Sequence, residues 1–270
     1  MQRRVIPVQI ALVVCVLAAA ALVPANLLVP TAQAQTTTVE SFDAPTEESP
    51  EAPAPESTVA RELVSGTVAD QAGVSRDVLN LALGAVTCAV AAGDISAPPT
   101  LTLIDYSRPS TEPRLWVFDL RTGEMRFREL VAHGKGTGEN LAQHFSDSMN
   151  SHQTSLGLFV TRDTYVGSNG YSLRLDGLEP GFNGRARERA IVMHGAPYVD
   201  AAAAAKQGRL GRSWGCPALR QAVARQVIDF VRDGGVVFSY YPDQAWLKES
   251  RFLNCAPASP NRELRIASRE

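Results

Sequence analysis

Apolar positions along this chain change period several times, and each change marks an element. Residues 5–23 run apolar. Between residues 76 and 91, Leu79, Leu83, Val86 and Val90 recur at helical spacing and stop before Gly93, which predicts a packed helix. After Pro98-Pro99 the texture turns to strand, over 101–105, 114–120 and 125–131. The second and third of these are joined by Arg121-Thr122-Gly123 and read as a hairpin. Further strands are predicted at 156–161, 171–175, 190–194 and 236–241, separated by Gly and Asn turn signals. Two helices interrupt them. One is an Ala-rich stretch at 200–207 that Asp200 can cap; the other, at 217–233, carries Leu219, Val223, Val227 and Val231 on one face and stops at Gly234-Gly235. A last helix-like stretch covers 244–253. The pattern predicts a mainly β chain with packed helices (α+β), a mainly antiparallel sheet or sandwich, with no internal repeat.

The ends have a different character. Arg3 and Arg4 precede the apolar run, and Ala32-Gln33-Ala34 follows it, as in a secretory signal peptide covering residues 1–34. An uncleaved membrane anchor is the alternative, because the apolar stretch nearly reaches a bilayer-spanning length. Residues 35–62 interleave Pro45, Pro50, Pro53 and Pro55 with Glu and Asp, and bury too little apolar surface to offset ordering entropy; they read as a disordered Pro/Glu/Thr-rich tether. Residues 63–255 have ordinary globular composition and fit one domain, and 256–270 read as a flexible tail. The net charge of −2 resides mostly in the tether, so nothing marks a nucleic-acid partner.

Of four cysteines, Cys15 lies in the apolar leader, which leaves Cys88, Cys216 and Cys255. Parity in an exported protein leaves one thiol free, and the surroundings of Cys216 make it the candidate. Cys88 and Cys255 then either pair in an oxidising compartment or remain a small buried residue and an idle one.

Those surroundings are Gly208-Arg-Leu-Gly-Arg-Ser-Trp-Gly-Cys-Pro-Ala-Leu-Arg220. Gly215 permits an unusual turn before Cys216, and Pro217 suits the first position of the helix predicted at 217–233. That reading puts Cys216 at a helix N-terminus, whose free N–H groups and dipole would stabilise a thiolate. Arg212 and Arg220 would add to the field. Because Pro217 lacks an N–H, oxyanion donors are expected from the backbone of Gly215 and Cys216. Among four histidines, His194 ends the predicted strand 190–194 before Gly195, where a base can be held rigidly at a strand end. A buried structural thiol and a structural histidine are the plain alternatives, and the combination favours chemistry. His133-Gly-Lys-Gly-Thr-Gly138 lacks the spacing of a phosphate loop and reads as a flexible connection near the cleft. No cluster has metal-ligand spacing, so neither metal nor cofactor is expected.

Taken together, Arg174-Leu-Asp-Gly-Leu-Glu179, Ala190-Ile-Val-Met-His-Gly-Ala196 and Gly208–Leu219 resemble the murein L,D-transpeptidase catalytic domain family, a subgroup of the YkuD-like L,D-transpeptidases, over roughly residues 100–245. The resemblance implies a YkuD-like β-sandwich, Cys216 as nucleophile, His194 as base and the Gly195 carbonyl as its orienting partner. It also implies peptidoglycan stem peptides as partners; the signal peptide, cleaved near Ala34, would place the protein in the periplasm or cell envelope. The second histidine of the broader signature is Trp214 here, and the polar residue two places after the cysteine is Ala218. Substrate binding is therefore expected from Ser213, Trp214, Arg212 or Arg220, with His144 a further cleft candidate; for Trp214, packing is the plainer reading. The implied reaction is transfer of a tetrapeptide stem through a Cys216 thioester to an amine. A cysteine hydrolase on the same fold and a silent wall-binding module are the rivals.

Overall fold

The computed structural model describes residues 73–255, all within one compact unit. The signal-peptide, tether and tail expectations, at 1–34, 35–62 and 256–270, lie outside the described residues. Helix α1 (Arg76–Ala91) begins at Ser75, whose side chain accepts the Val78 N–H, and buries Val78, Leu79, Ala82, Leu83 and Val86 at helical spacing. No described helix is long and apolar enough to cross a membrane.

Among the described residues nine strands form one sheet: β1 (Thr100–Asp105), β2 (Leu115–Asp119), β3 (Met125–Glu129), β4 (Val131–Ala132), β5 (Gly157–Gly167), β6 (Gly170–Gly177), β7 (Val192–Ala196), β8 (Ala218–Arg220) and β9 (Val236–Tyr240). Their order is β3-β2-β1-β9-β5-β6-β7-β8-β4. Only β1–β9 and β7–β8 pair in parallel, so the expectation of a mainly antiparallel sheet holds. Between them run helices α2 (Ala201–Gln207), α3 (Gln221–Val231) and α4 (Gln244–Glu249).

Strands β3 and β4 sit at opposite ends of the order, although a single residue separates them in sequence. The sheet therefore curls back on itself and is nearly closed. Arg114 bridges the seam. Its guanidinium is fully buried and donates to the carbonyls of Val131 and Arg108 and to His133 Nδ1 at 2.8 Å. Burial lowers its pKa to about 10, which still leaves it charged.

Alternation along the strands splits the apolar residues between two cores. Leu101, Leu103, Trp116, Phe118, Leu158 and Phe238 pack with α1 and Trp246 of α4. Leu115, Val117, Phe159, Leu173, Met193 and Val237 pack on the other face with Val227, Ile228 and Val231 of α3. Buried Glu179 ties α4 to the sheet by accepting from Leu158 N–H, the Trp246 indole and the Ser250 hydroxyl. Cys88 on α1 is disulfide-bonded to Cys255, with Cα atoms 6.2 Å apart, inside the ordinary range for a bridge.

Two element predictions need correction. The stretch 217–233 is not one helix: Ala218–Arg220 is strand β8, and α3 starts only at Gln221. Ladders on both sides claim these residues, parallel to His194–Ala196 and antiparallel to Val131–Ala132. Leu219 matched the helical stripe because it faces the same core as Val227. Likewise, His194 does not end a strand; it is the central residue of β7, and Gly195 and Ala196 continue the pairing with Leu219 and Arg220.

Candidate active site

Cys216 immediately precedes the Pro217–Ala218 step into β8, and the segment before it is folded by its own side chains. Ser213 Oγ donates to the Cys216 carbonyl at 2.7 Å and accepts the Gly215 N–H at 3.1 Å. Gly215 has φ +121°, and a Cβ there would meet Gln153 O at 2.7 Å and Ile191 Cδ1 at 3.0 Å. Only glycine fits the turn. Ser213 Oγ is thus engaged within the turn and takes up the Gly215 N–H, which leaves the Cys216 N–H as the other expected oxyanion donor.

Register places His194 opposite Ala218, so Cys216 stands level with Val192, two positions back along β7. Val192 N–H reaches Cys216 Sγ at 3.5 Å, and the thiol points its hydrogen to the Ala190 carbonyl at 3.7 Å. His194 is buried and its Nδ1 lies 3.0 Å from the Gly195 carbonyl. A carbonyl only accepts, so this bond fixes the proton on Nδ1 and leaves Nε2 with its lone pair. Among the described residues no hydrogen bond links the thiol to this ring.

The electrostatics differ from those expected at a helix N-terminus. With α3 starting at Gln221, no helix dipole is aimed at the sulfur. Burial pushes the Cys216 thiol up, opposed by Val192 N–H and the Arg189 guanidinium. Burial likewise lowers His194, partly offset by its bond to Gly195. Burial thus favours the uncharged form of both groups.

Arg189 carries no catalytic signal in the sequence. Its buried side chain donates to the carbonyls of Ser146 and Gln153 and the hydroxyls of Ser151 and Ser155, which binds the 146–155 segment against the Cys216 turn. Its ion pair with Asp147 is long, at 3.7 Å.

The other predicted binding residues are distributed unevenly. Arg212 is paired with Glu139 at 2.6 Å and donates to Gly138 O, and Arg220 grips Glu129 with both nitrogens at 2.7 and 2.8 Å. Neither guanidinium is free for a ligand as it stands. The ring of His144 is exposed, with no contact that ties it to Cys216. Trp214 overturns the packing expectation: it is 70% exposed and stacks on His152, ring centroids 5.0 Å apart. His133 is buried between Arg114 and the Gly138 carbonyl, and burial followed by the Arg114 charge lowers its pKa to about 4, a neutral structural ring. No group of His, Cys, Asp and Glu suited to a metal occurs among the described residues.

No curated protein sequence matches the chain. Among solved structures it is similar to an L,D-transpeptidase from Mycobacterium smegmatis (15% identity, 53% of this chain and 59% of that one, TM-score 0.34). It is similar also to one from Mycobacterium tuberculosis H37Rv (14%, 53% and 58%, 0.34) and to one from Stackebrandtia nassauensis (13%, 67% and 74%, 0.33). The chain thus spans less than two thirds of the length of the two mycobacterial proteins. Residues 70–240, well over half of the sequence and including β7, the Cys216 turn and β8, match the model of the L,D-transpeptidase catalytic domain family, and the chain belongs to that family.

Proposed function

We propose that this protein is a peptidoglycan L,D-transpeptidase in which Cys216 takes the acyl group and His194 moves the proton. What carries this reading is the registered placement of the two residues on paired segments, with the imidazole held in the tautomer that leaves Nε2 unprotonated. In the first half, the thiol turns from the Ala190 carbonyl and gives its proton to Nε2 of His194, and sulfur attacks the carbonyl at the L-centre of diaminopimelate in a tetrapeptide stem. The C–S bond forms, the C–N bond breaks, and the imidazolium returns the proton to the departing D-alanine amine. In the second half an amine of another stem attacks the thioester, losing its proton to His194, and the thiol is restored. The Cys216 N–H is the backbone donor near the sulfur that remains for the oxyanion. A disulfide joining Cys88 to Cys255 agrees with work outside the cytoplasm, in the envelope.

The test is intact-protein mass spectrometry after incubation with a tetrapeptide stem. An adduct equal to the stem lacking D-alanine, mapped to Cys216 and absent from Cys216→Ala, is the expected result. An adduct on another residue, or none with any stem, defeats the proposal. Adding an amine-bearing stem should convert the adduct to crosslinked product, whereas release of free tripeptide alone would make the protein a hydrolase.

A further inference from the structure

The glycine-rich segment after His133, expected as a loose connection, is hydrogen-bonded to the segments on both sides of it. Lys135 N–H donates to the Ser213 carbonyl at 2.8 Å and Gly136 N–H to the His152 carbonyl at 2.9 Å, while Ser213 N–H returns a bond to His133. A Cβ at Gly134 would overlap the His152 carbonyl and meet Gly215 N at 2.9 Å, and one at Gly136 would meet the Ser151 carbonyl at 2.5 Å. The glycines let this ribbon lie flush between the 151–153 segment and the Cys216 turn. Each of the three segments then presents one side chain at the same place: Lys135, His152 and Trp214. His152 adopts φ +53° and stacks on Trp214, and the Lys135 ammonium lies 5.2 Å from the Trp214 ring.

Two features of this cluster call for a ligand. An indole 70% exposed two residues before the nucleophile is apolar surface left in water, although a stacked histidine fixes its orientation. The charges nearby are also unevenly matched. Arg212 and Arg209 share Glu139, Arg220 holds Glu129, and Arg189 is consumed by buried acceptors. Lys135 is exposed and has no carboxylate partner among the described residues. A cation left over beside a preset aromatic face fits an anionic group carried on a short apolar stem.

We infer that Lys135 and Trp214 form a carboxylate-reading subsite, which binds the free terminal carboxylate of the donor peptide one residue beyond the scissile carbonyl, with the Trp214 ring against the side chain of that residue. The inference rests on the transpeptidase reading for the identity of the peptide. It selects donors that end at the leaving residue, because a longer stem or a terminal amide removes the charge from that position.

The tryptophans make the test direct. Of the three in the sequence, Trp116 and Trp246 are fully buried, so a ligand-dependent change in fluorescence reports on Trp214. Cys216→Ala, which binds without reacting, is titrated with a tetrapeptide stem and with its C-terminal carboxamide. The carboxylate form should bind about tenfold more tightly. Adding Lys135→Met should erase that preference while leaving the carboxamide affinity within about twofold, and Trp214→Phe should remove the signal. Equal affinity for the two peptides, a preference that survives Lys135→Met, or no fluorescence change with either peptide overturns the subsite. If the preference holds but the unaltered chain forms no thioester on Cys216, the transpeptidase reading falls and the subsite stands.

Discussion

At Cys216 burial disfavours the thiolate, and the Val192 N–H and then the Arg189 guanidinium favour it. The sequence pointed instead to a helix N-terminus, which supplies no charge here, since α3 begins at Gln221, and burial disfavours the charged form of His194. Two expectations follow for alkylation of Cys216 by iodoacetamide across a pH series. In the unaltered protein the rate should climb only above the range of an ordinary thiol. Arg189→Met removes a positive charge, so the curve should move further up, with alkylation at pH 8 slowed by roughly three- to tenfold. His194→Gln should shift the curve much less than Arg189→Met, yet abolish thioester formation with peptide. Equal shifts from the two substitutions would return the thiolate's support to the histidine. Cys216, His194 and Gly195, the proposed nucleophile, base and orienting carbonyl, lie in stretches whose pattern the sequence displays. Arg189, Lys135 and His152 do not, because their roles depend on segments that meet only in three dimensions.

At the scale of elements, local chemistry was readable wherever it is self-contained. Helix α1 declared itself through Leu79, Leu83 and Val86, α2 through its Asp200 cap, and β2–β3 through the turn between them. The failures have one cause. Residues 218–220 are strand because β7 and β4 flank them, and a three-residue strand leaves too short an alternation to compete with the stripe of α3. The same pairing explains Gly195. Sequence made it a turn residue after His194, but it lies within β7, where α3 packs so closely that a Cβ would sit 2.8 Å from Ala224 Cβ. Gly195→Ala should therefore destabilise the fold by about 1–3 kcal/mol, as overpacking does. Urea unfolding measures this, and Ala224→Gly in the same chain should recover part of the loss. Additive effects of the two substitutions would show that the contact is not the reason for the glycine.

For the whole molecule, the closing step is long-range. The sheet returns on itself at the β3–β4 seam, where Arg114 spans the gap, and α1 and α4 cover its outer core from opposite ends of the described sequence. The Cys88–Cys255 bond fastens the first of these helices to the residues just after the second, across a sequence separation of 167. Sequence parity raised this pairing, and the 6.2 Å Cα separation makes it geometrically sound. Cross-linking so long a loop restricts the unfolded chain by roughly 5 kcal/mol in the loop-entropy treatment, an upper figure because residual structure in the unfolded chain reduces it. Cys255 is exposed, so Cys255→Ser removes the bond without opening a cavity, whereas Cys88 is packed in the core on the buried face of α1. The expected result is a clear fall in the denaturant midpoint of Cys255→Ser relative to the oxidised protein, matched by the unaltered protein in reductant. Iodoacetamide labelling of the native oxidised form should modify Cys216 and spare both Cys88 and Cys255. Coincident midpoints in all three samples, or labelling of Cys88 or Cys255 without reductant, would show that the two helices are held by packing and not by the bond.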